Sequence, residues 1–376
     1  MSTRCPTCGT VYPDDVKFCA KDGARLLTGV TGTPTPATPP LGVQSVTPPR
    51  PAAAAPPPPP PPGGMRTVDF SKLAGQLLDN RYQVAKKVGE GGMSFVYLAQ
   101  DTNTGEKVAI KILSPALIKD QNAMARLRRE AALGGRLAHP NVCHIIRLGE
   151  TNMGLVYIVM PFVQGELLCD RTNRQGRIPL EETAGFVRDM TAGLHVAHEL
   201  GIIHRDLKPE NIMVVARPDG THRAVVMDFG LAKERQMSAE VQKLTATGIV
   251  LGTPEFMSPE QLRGKTLDAR TDIYSLAVMV YEMLTAKLPF PGRTQQEIMI
   301  ARLKGDPIPI RQMRPELDIP VAVERVLAKA LSRDPDQRYA STLEFGEAFT
   351  RAASGQGDAG GDGGSGGGVL GKIFGR

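Results

Sequence analysis

The sequence predicts an α+β fold with a small β-rich lobe followed by a larger helical lobe, behind a small N-terminal module that carries cysteines. Four short runs with strand-like alternation indicate the first lobe: RYQVAKKV, FVYLAQ, KVAIKIL and LVYIVM. Two longer segments with helical periodicity indicate the second: LEETAGFVRDMTAGLHVAHEL and TDIYSLAVMVYEML. Of the 376 residues, 41% are hydrophobic, which is enough to build a sizeable core.

Composition also limits the functional classes. No stretch approaches the roughly 18 to 20 uninterrupted apolar residues that span a bilayer, and the first residues, MSTRCPTCGT, do not resemble a signal peptide. We therefore expect a soluble, cytoplasmic protein. Most of the net charge of +6 lies outside residues 67–350, and no dense basic run with interleaved aromatic residues occurs. The charge therefore gives no support for nucleic-acid binding.

The composition divides the chain into four parts. Residues 1–27 hold three of the five cysteines, and residues 28–66 are rich in Thr, Ala and Pro. This disordered linker includes seven consecutive prolines, Pro56–Pro62, and predicts an extended polyproline II spacer. A passive tether is favoured over a ligand for SH3-like domains. From Asp69 to about Thr350 the pattern is globular, and residues 351–376 are expected to form a Gly-rich, flexible tail that ends in VLGKIFGR.

The N-terminal cysteines form a pattern typical of zinc ribbons. CPTCG is followed by CAKDG, with ten residues between Cys8 and Cys19, so that each half supplies two ligands followed by a glycine. Asp22 replaces the fourth cysteine, and a carboxylate oxygen there can complete a tetrahedron with Cys5, Cys8 and Cys19. Bound Zn²⁺ would supply most of the folding energy of so small a module, with free thiols as the alternative.

A glycine-rich segment, VGEGGMSFV, lies between two strand-like runs at residues 88–96. Because glycine has no Cβ, Gly89 and Gly91 let backbone amides approach phosphate oxygens, while Val96 can cover an adenine ring. Taken alone, such a hairpin is more often only a turn. The predicted nucleotide-binding residues of this segment are Val88, Gly89, Glu90, Gly91, Gly92, Met93, Ser94, Phe95 and Val96.

The VAIK run that follows ends in Lys111, an ammonium among apolar neighbours that needs an anionic partner. Nineteen residues later, Glu130 lies in the helix-like segment RLRREAALGGRL and can face inward. An ion pair between the two would hold the ammonium against phosphates, although either residue alone would more often be a surface charge.

The segment GIIHRDLKPENIMVV contains HRDLKPEN, and MDFG follows at residues 227–230. This ordered pair matches the catalytic-loop and metal-binding signatures of protein kinases. The chain resembles the bacterial eukaryotic-type (Hanks-type) serine/threonine protein kinases over about residues 82–350. The resemblance implies the bilobal protein-kinase fold and an ATP-dependent phosphotransferase that acts on protein substrates.

Phosphoryl transfer requires positioning and charge neutralisation more than covalent help. The resemblance implies that Asp206 accepts or orients the proton of the attacking hydroxyl and that Lys208 neutralises the γ-phosphate. It also implies that Asn211 and Asp228 supply oxygen ligands for Mg²⁺, with Mn²⁺ as an alternative, on the phosphates of ATP.

The adenine site is expected between the lobes, at the segment YIVMPFVQGELL. Met160 resembles the gatekeeper and Pro161–Val163 the hinge, while Ala109 and Met213 would enclose the ring. Pro161 departs from the usual pattern because it has no N–H. The family's hinge uses the carbonyl at this position and the amide of Val163, so nucleotide binding should survive.

The acceptor class follows from two segments. Lys208 within DLKPEN is typical of serine/threonine kinases, whereas tyrosine kinases resemble DLAARN, and Thr253 in GTPEFMSPE agrees. The polar segment between DFG and SPE carries Thr245 and Thr247, candidate sites of autophosphorylation in an activation loop. Arg205, before the predicted catalytic aspartate, implies that a phosphothreonine orders this loop.

Other residues carry structural roles in the resemblance. Glu260 and Arg338 would form a buried ion pair, Asp272 would anchor the catalytic loop, and His204 would pack against Phe229. The departures from the family pattern are small residues that remove no catalytic charge: Ser94, Ser258 and Ala277.

Three functions compete for this chain. An active kinase in signal transduction, whose N-terminal module binds a protein partner, is favoured because Lys111, Asp206, Asn211 and Asp228 are all present. A pseudokinase scaffold would have lost at least one of them. A nucleic-acid-binding ribbon finds little support in the module's nearly balanced charge and its two aromatic residues, Tyr12 and Phe18.

Overall fold

The computed structural model describes residues 72–91, 94–114, 121–152, 154–229 and 254–355, together with two short strands near the N-terminus. The chain divides into two compact units, Met1–Arg66 and Thr67–Arg376. In the first unit, β1 (Ser2–Arg4) pairs antiparallel with β2 (Val11–Pro13). The predicted zinc ligands, the Pro-rich linker and the Gly-rich tail beyond residue 355 lie outside the described residues.

The small lobe of the second unit is a six-stranded antiparallel sheet, in the order β3-β4-β5-β6-β8-β7. Its strands are β3 (Leu77–Leu78), β4 (Tyr82–Gly91), β5 (Ser94–Asp101), β6 (Lys107–Leu113), β7 (Arg147–Glu150) and β8 (Val156–Pro161). All four predicted strands are confirmed. The KVAIKIL run is almost wholly buried because β6 lies between β5 and β8 and is covered on both faces. One helix, α1 (Gln121–Gly134), belongs to this lobe.

Residues 72–81, which precede the predicted domain start at residue 82, are part of this lobe. Leu73 and Leu78 are buried in its core. The β3–β4 turn holds Asp79 in the left-handed region at φ +52°. The Asp79 carboxylate accepts hydrogen bonds from Tyr157 Oη at 2.7 Å and from Arg147 at 2.8 Å. Since those residues lie on β8 and β7, Asp79 links the two edges of the sheet.

The large lobe is helical, as predicted. Its helices are α2 (Leu168–Gln175), α3 (Leu180–Glu199), α4 (Pro259–Leu262), α5 (Arg270–Thr285), α6 (Gln295–Lys304), α7 (Ile310–Met313), α8 (Val321–Ala330) and α9 (Thr342–Ala353). The predicted periodic segments fall in α3 and α5. Helix α5 is buried on nearly every side, because α3, α8 and α9 pack around it.

A second, three-stranded sheet has the strand order β11-β10-β9. Its strands are β9 (Glu166–Leu167), β10 (Ile212–Ala216) and β11 (His222–Val226). Asp189 on α3 accepts the backbone N–H of Ala224 at 2.9 Å and so fastens the sheet to that helix. Within the described residues, no helix has the length and apolar character needed to cross a membrane.

Candidate active site

The loop that contains HRDLKPEN is anchored by one buried carboxylate, as predicted. Asp272, in the first turn of α5, accepts the backbone N–H groups of His204 at 2.8 Å and Arg205 at 2.9 Å. His198 Nε2 lies 2.7 Å from the same carboxylate. Burial opposes ionisation of Asp272, but its hydrogen bonds with the His198 ring and with the His204 backbone N–H hold its pKa below the usual range. The anchor therefore carries a negative charge at neutral pH.

Asp206 is held by Asn211, which ends the short 3₁₀ helix Pro209–Asn211. Asn211 Nδ2 donates to the Asp206 backbone carbonyl at 2.7 Å and to its carboxylate Oδ2 at 2.9 Å. The Lys208 ammonium lies 3.7 Å from the same Oδ2. A carboxylate, an amide and an ammonium thus lie together at one end of the loop, which is the arrangement expected from the sequence.

Lys111 reaches this site from strand β6. Its Nζ lies 2.9 Å from Asp228 Oδ2, which joins the small lobe to the DFG segment. The expected partner was Glu130 on α1, so the structure differs from the sequence-based expectation at this point. The physical reason is proximity, because Coulomb attraction favours the carboxylate at contact distance. Asp228 itself has a left-handed backbone, with φ +50°.

The residues expected around adenine come together in one apolar cluster. Ala109 pairs with Met160 across β6 and β8, and both side chains are buried. Val163, Met213 and Val96 pack against the same cluster.

Pro161 is the last residue of β8, and its carbonyl oxygen lies 3.7 Å from the Cys143 sulfur. Burial raises the pKa of the Cys143 thiol to about 12, so this cysteine is a neutral, unreactive neighbour.

The glycine-rich segment forms the hairpin between β4 and β5. Gly91 pairs with Ser94, and a β-carbon added at Gly89 would lie 3.5 Å from the Val96 side chain. Gly92 and Met93 at the tip lie outside the described residues, as do Thr245, Thr247 and Thr253. This hairpin lies beside Lys111, because β5 pairs with β6 at Val96 and Lys111.

The predicted structural contacts are confirmed. The Arg338 guanidinium forms two hydrogen bonds to the Glu260 carboxylate, at 2.7 and 2.8 Å, and both residues are buried. The rings of His204 and Phe229 have centroids 4.8 Å apart. His204 Nε2 is 2.8 Å from the backbone carbonyl of Met227, so the imidazole is occupied within the protein.

The sequence did not indicate the roles of three polar residues in the large lobe. His198 contacts Asp272, Gln261 donates to the carbonyl of Arg205, and Arg302 on α6 donates to the backbone carbonyls of residues 254, 255 and 257. Each contact joins residues more than 40 positions apart. A single polar residue in a short or periodic helix is normally read as solvent-exposed, so no local pattern distinguished them.

Comparison with known proteins agrees with this geometry. The protein kinase domain model matches residues 82–348. Serine/threonine-protein kinase pkn3 of Myxococcus xanthus is 37% identical over 281 residues, which cover 75% of this chain and 51% of that protein. Serine/threonine-protein kinase PknB of Mycobacterium leprae is 39% identical over 282 residues, covering 74% of this chain and 44% of that protein.

The fold has solved counterparts. The crystal structure of the Mycobacterium tuberculosis PknI kinase domain has 26% sequence identity and a TM-score of 0.58, and the match covers 74% of this chain and 99% of that one. The chain spans about half the length of the curated relatives it matches. Because the family model, the relatives and the bilobal architecture all agree, the chain belongs to the protein kinase family.

Proposed function

We propose that the chain is a serine/threonine protein kinase that transfers the γ-phosphoryl group of ATP to hydroxyl groups of protein substrates. The observation that carries the proposal is the Asp206 carboxylate, oriented by Asn211 at 2.9 Å with the Lys208 ammonium at 3.7 Å. The names of the relatives, serine/threonine-protein kinases at 37 and 39% identity, support the same acceptor class.

In the proposed reaction, Asp206 orients the acceptor hydroxyl and receives its proton as the new O–P bond forms. The bond between the γ-phosphorus and the bridging oxygen of ADP breaks in the same step. Lys208 lies close enough to Asp206 for its ammonium to face the transferred group, where it neutralises negative charge. The Asn211 amide donates to the Asp206 carboxylate and helps to fix its direction, and such positioning lowers the barrier.

Members of the protein kinase family use ATP with Mg²⁺ or Mn²⁺, and the donor set here fits such an ion. The side-chain nitrogen of Asn211 donates to Asp206, so the side-chain oxygen of Asn211 is the atom that would bind the ion. Asp228 adds a carboxylate, and hard oxygen donors are what these cations prefer. The bound ion neutralises phosphate charge. The Lys111 ammonium contacts one carboxylate oxygen of Asp228, Oδ2, so a bound ion and the ammonium would compete for that oxygen.

The nucleotide base is proposed to lie against Ala109, Met160, Val163 and Met213, with Val96 above it, because these residues share one apolar cluster next to Lys111. The carbonyl of Pro161 and the amide of Val163 would bind the adenine edge. Thr245 and Thr247 are the proposed autophosphorylation sites, on the basis of their place between DFG and SPE.

The N-terminal module is proposed to bind one Zn²⁺ through Cys5, Cys8, Cys19 and Asp22 and to contact a protein partner. In the sequence, Cys5 and Cys8 fall between strands β1 and β2, which pair antiparallel. Metal analysis should find about one zinc per chain, lost in a Cys5→Ser/Cys8→Ser variant. A wild-type chain without zinc contradicts the proposal.

The cytoplasmic location expected from the sequence stays a prediction.

Intact-mass analysis tests the kinase assignment. Protein incubated with MgATP should gain multiples of about 80 Da, one phosphoryl group each, and Asp206→Asn should gain none because hydroxyl positioning is lost. Phosphoamino-acid analysis should then find phosphothreonine or phosphoserine. A wild-type chain that gains no mass and phosphorylates no added protein favours the pseudokinase alternative.

A further inference from the structure

Gln261 joins the short helix α4 to the catalytic loop through a buried side chain. Its Nε2 donates to the carbonyl oxygen of Arg205 at 2.7 Å, and its Oε1 accepts the backbone N–H of Ser258 at 2.9 Å. The residue is 4% exposed. The amide orientation follows from these partners, because a carbonyl oxygen can only accept and a backbone N–H can only donate.

The residue that receives this hydrogen bond has an unusual backbone. Arg205 lies in the left-handed region with φ +65°, a conformation that is unfavourable for a non-glycine residue and persists only where neighbouring contacts hold it. Its N–H is held by Asp272 at 2.9 Å, and its carbonyl is held by Gln261. The two contacts come from different helices, α5 and α4.

The contact with Gln261 lies one peptide group away from Asp206. A peptide group is planar, so the direction of the Arg205 carbonyl fixes the direction of the Asp206 N–H. That N–H points to His204 Nδ1, at 3.3 Å. The peptide plane that leads into Asp206 is therefore held at both ends, by Gln261 and by His204, while Asn211 holds the carbonyl and carboxylate that follow.

We propose that Gln261 is a positioning residue for Asp206, acting through the Arg205–Asp206 peptide plane. This inference rests on the function proposed above for Asp206. It also explains how the catalytic loop is connected to the segment that precedes α4. Residues 254–257 lead directly into α4, and Arg302 holds their carbonyls, so a shift of that segment moves Gln261 and with it the peptide plane.

The sharpest variant is Gln261→Glu, which has the same shape but cannot donate to the Arg205 carbonyl when ionised. Its matched control is Ser258→Ala. The Ser258 hydroxyl accepts the Gln261 backbone N–H at 3.2 Å, so its loss weakens the same helix without touching the Arg205 contact. We expect Gln261→Glu to lower kcat on the order of tenfold to a hundredfold, as misplaced catalytic groups do, while KM for ATP is unchanged. Ser258→Ala should keep the wild-type kcat.

A pH profile separates positioning from simple loss of helix stability. When protonated, the carboxyl introduced by Gln261→Glu can donate its O–H to the Arg205 carbonyl while its other oxygen still accepts from Ser258. The ratio of variant to wild-type kcat should therefore rise as the pH falls from 8 to about 6, since burial raises the pKa of a carboxyl. Gln261→Met, which can neither donate nor accept, should show no such recovery.

Two results would overturn the inference. One is a Gln261→Glu kcat equal to that of the wild type at neutral pH. The other is an equal loss of kcat in Ser258→Ala and Gln261→Met at matched melting temperatures, which would assign the effect to helix stability. If the Glu variant does not fold at neutral pH, Gln261→Met supplies the comparison. Wild-type transfer that Asp206→Asn abolishes establishes the proposed function independently, so the two ideas fail separately.

Discussion

Arg302 and Arg338 are both buried in the large lobe, but their charges are compensated in different ways. Arg338 faces the Glu260 carboxylate, whereas Arg302 donates only to backbone carbonyls among the described residues, with its guanidinium over the Phe290 ring at 5.5 Å. An ion pair that loses one member leaves an uncompensated buried charge, and this costs more than the pair contributes. We therefore expect a single substitution at Arg338 to lower the stability of the fold more than one at Arg302.

Arg338→Met should lower the free energy of unfolding by about 3 to 5 kcal/mol at pH 7, because the Glu260 carboxylate remains buried without a compensating charge and keeps only the hydrogen bond from Thr271. In the wild type, burial opposes ionisation of Glu260, but the Arg338 hydrogen bonds and charge hold its pKa below the usual range. Its contribution is therefore present at neutral pH and is lost as the pH falls below about 4. In Arg338→Met the pKa rises instead, so the loss of stability should shrink on acidification from pH 7 to 5.

Urea unfolding at both pH values measures this effect. The control is Arg338→Met/Glu260→Gln, which removes the buried charge and should recover part of the loss at pH 7. An Arg338→Met penalty that is equal at pH 7 and pH 5 would show that lost packing, and not the unpaired carboxylate, dominates.

Lys111→Met should leave the fold intact and abolish most phosphoryl transfer. The side chain keeps its length, but the ammonium that now binds Asp228 and is proposed to hold the phosphates is lost. Lys107→Met is the matched control, since Lys107 is exposed at the start of the same strand. In Lys111→Met the melting temperature should stay unchanged while the transfer rate falls. In Lys107→Met both should stay unchanged. Full activity of Lys111→Met would refute the role of Lys111 as the residue that holds the phosphates.

At the scale of the site, the sequence was sufficient for residues that belong to contiguous motifs. Asp206, Asn211 and Lys208 come together as expected, because HRDLKPEN has a fixed internal spacing. The partner of Lys111 was not predictable, since two carboxylates from distant segments compete for one ammonium. Gln261 was missed for a similar reason, because its contact with Arg205 spans 56 positions.

Closure of the small-lobe sheet depends on one turn. Asp79 and Asn80 both have φ +52°, and the Asp79 carboxylate binds Tyr157 and Arg147 at the opposite edge. Gly149 permits this arrangement, because a β-carbon there would lie 2.1 Å from the Tyr157 ring. Long strands and helices were predictable from their periodicity. Strand β3 was not, because two residues are too few to show a period.

Asp79→Ala should destabilise the small lobe by roughly 2 to 3 kcal/mol, because it leaves the Tyr157 hydroxyl without its acceptor and places alanine in a left-handed conformation. Asp79→Asn is the matched control. Asparagine tolerates that conformation and still accepts from Tyr157, so it should lose only the contribution of the partly exposed Arg147 pair, about 1 kcal/mol or less. Urea midpoints measure the difference, and equal losses would argue against closure by this hydrogen bond.

At the scale of the whole molecule, we expect the two units to have different sources of stability. The described residues of the second unit include three clusters of buried hydrophobic side chains, one in the large lobe, one in the small lobe and one beside the hinge. The first unit has 66 residues, and its Pro-rich half is a composition that does not build a core. If zinc stabilises the N-terminal module, chelation should unfold that module alone and leave the melting of the second unit unchanged.

The boundary of the catalytic unit gives the last prediction. A chain that starts at residue 67 should keep the stability and autophosphorylation rate of the full chain, because it retains every described contact of the small lobe. A chain that starts at residue 82, where the family match begins, loses buried Leu73 and Leu78 and the Asp79 contacts. Each buried leucine contributes about 1.5 to 3 kcal/mol, which is a large share of the 5 to 15 kcal/mol typical of a domain. Urea unfolding of both chains should therefore show a much lower midpoint for the shorter one. Equal midpoints would mean that residues 72–81 pack on the lobe without supporting it, and loss of activity in the longer chain would make residues 1–66 part of the catalytic machinery.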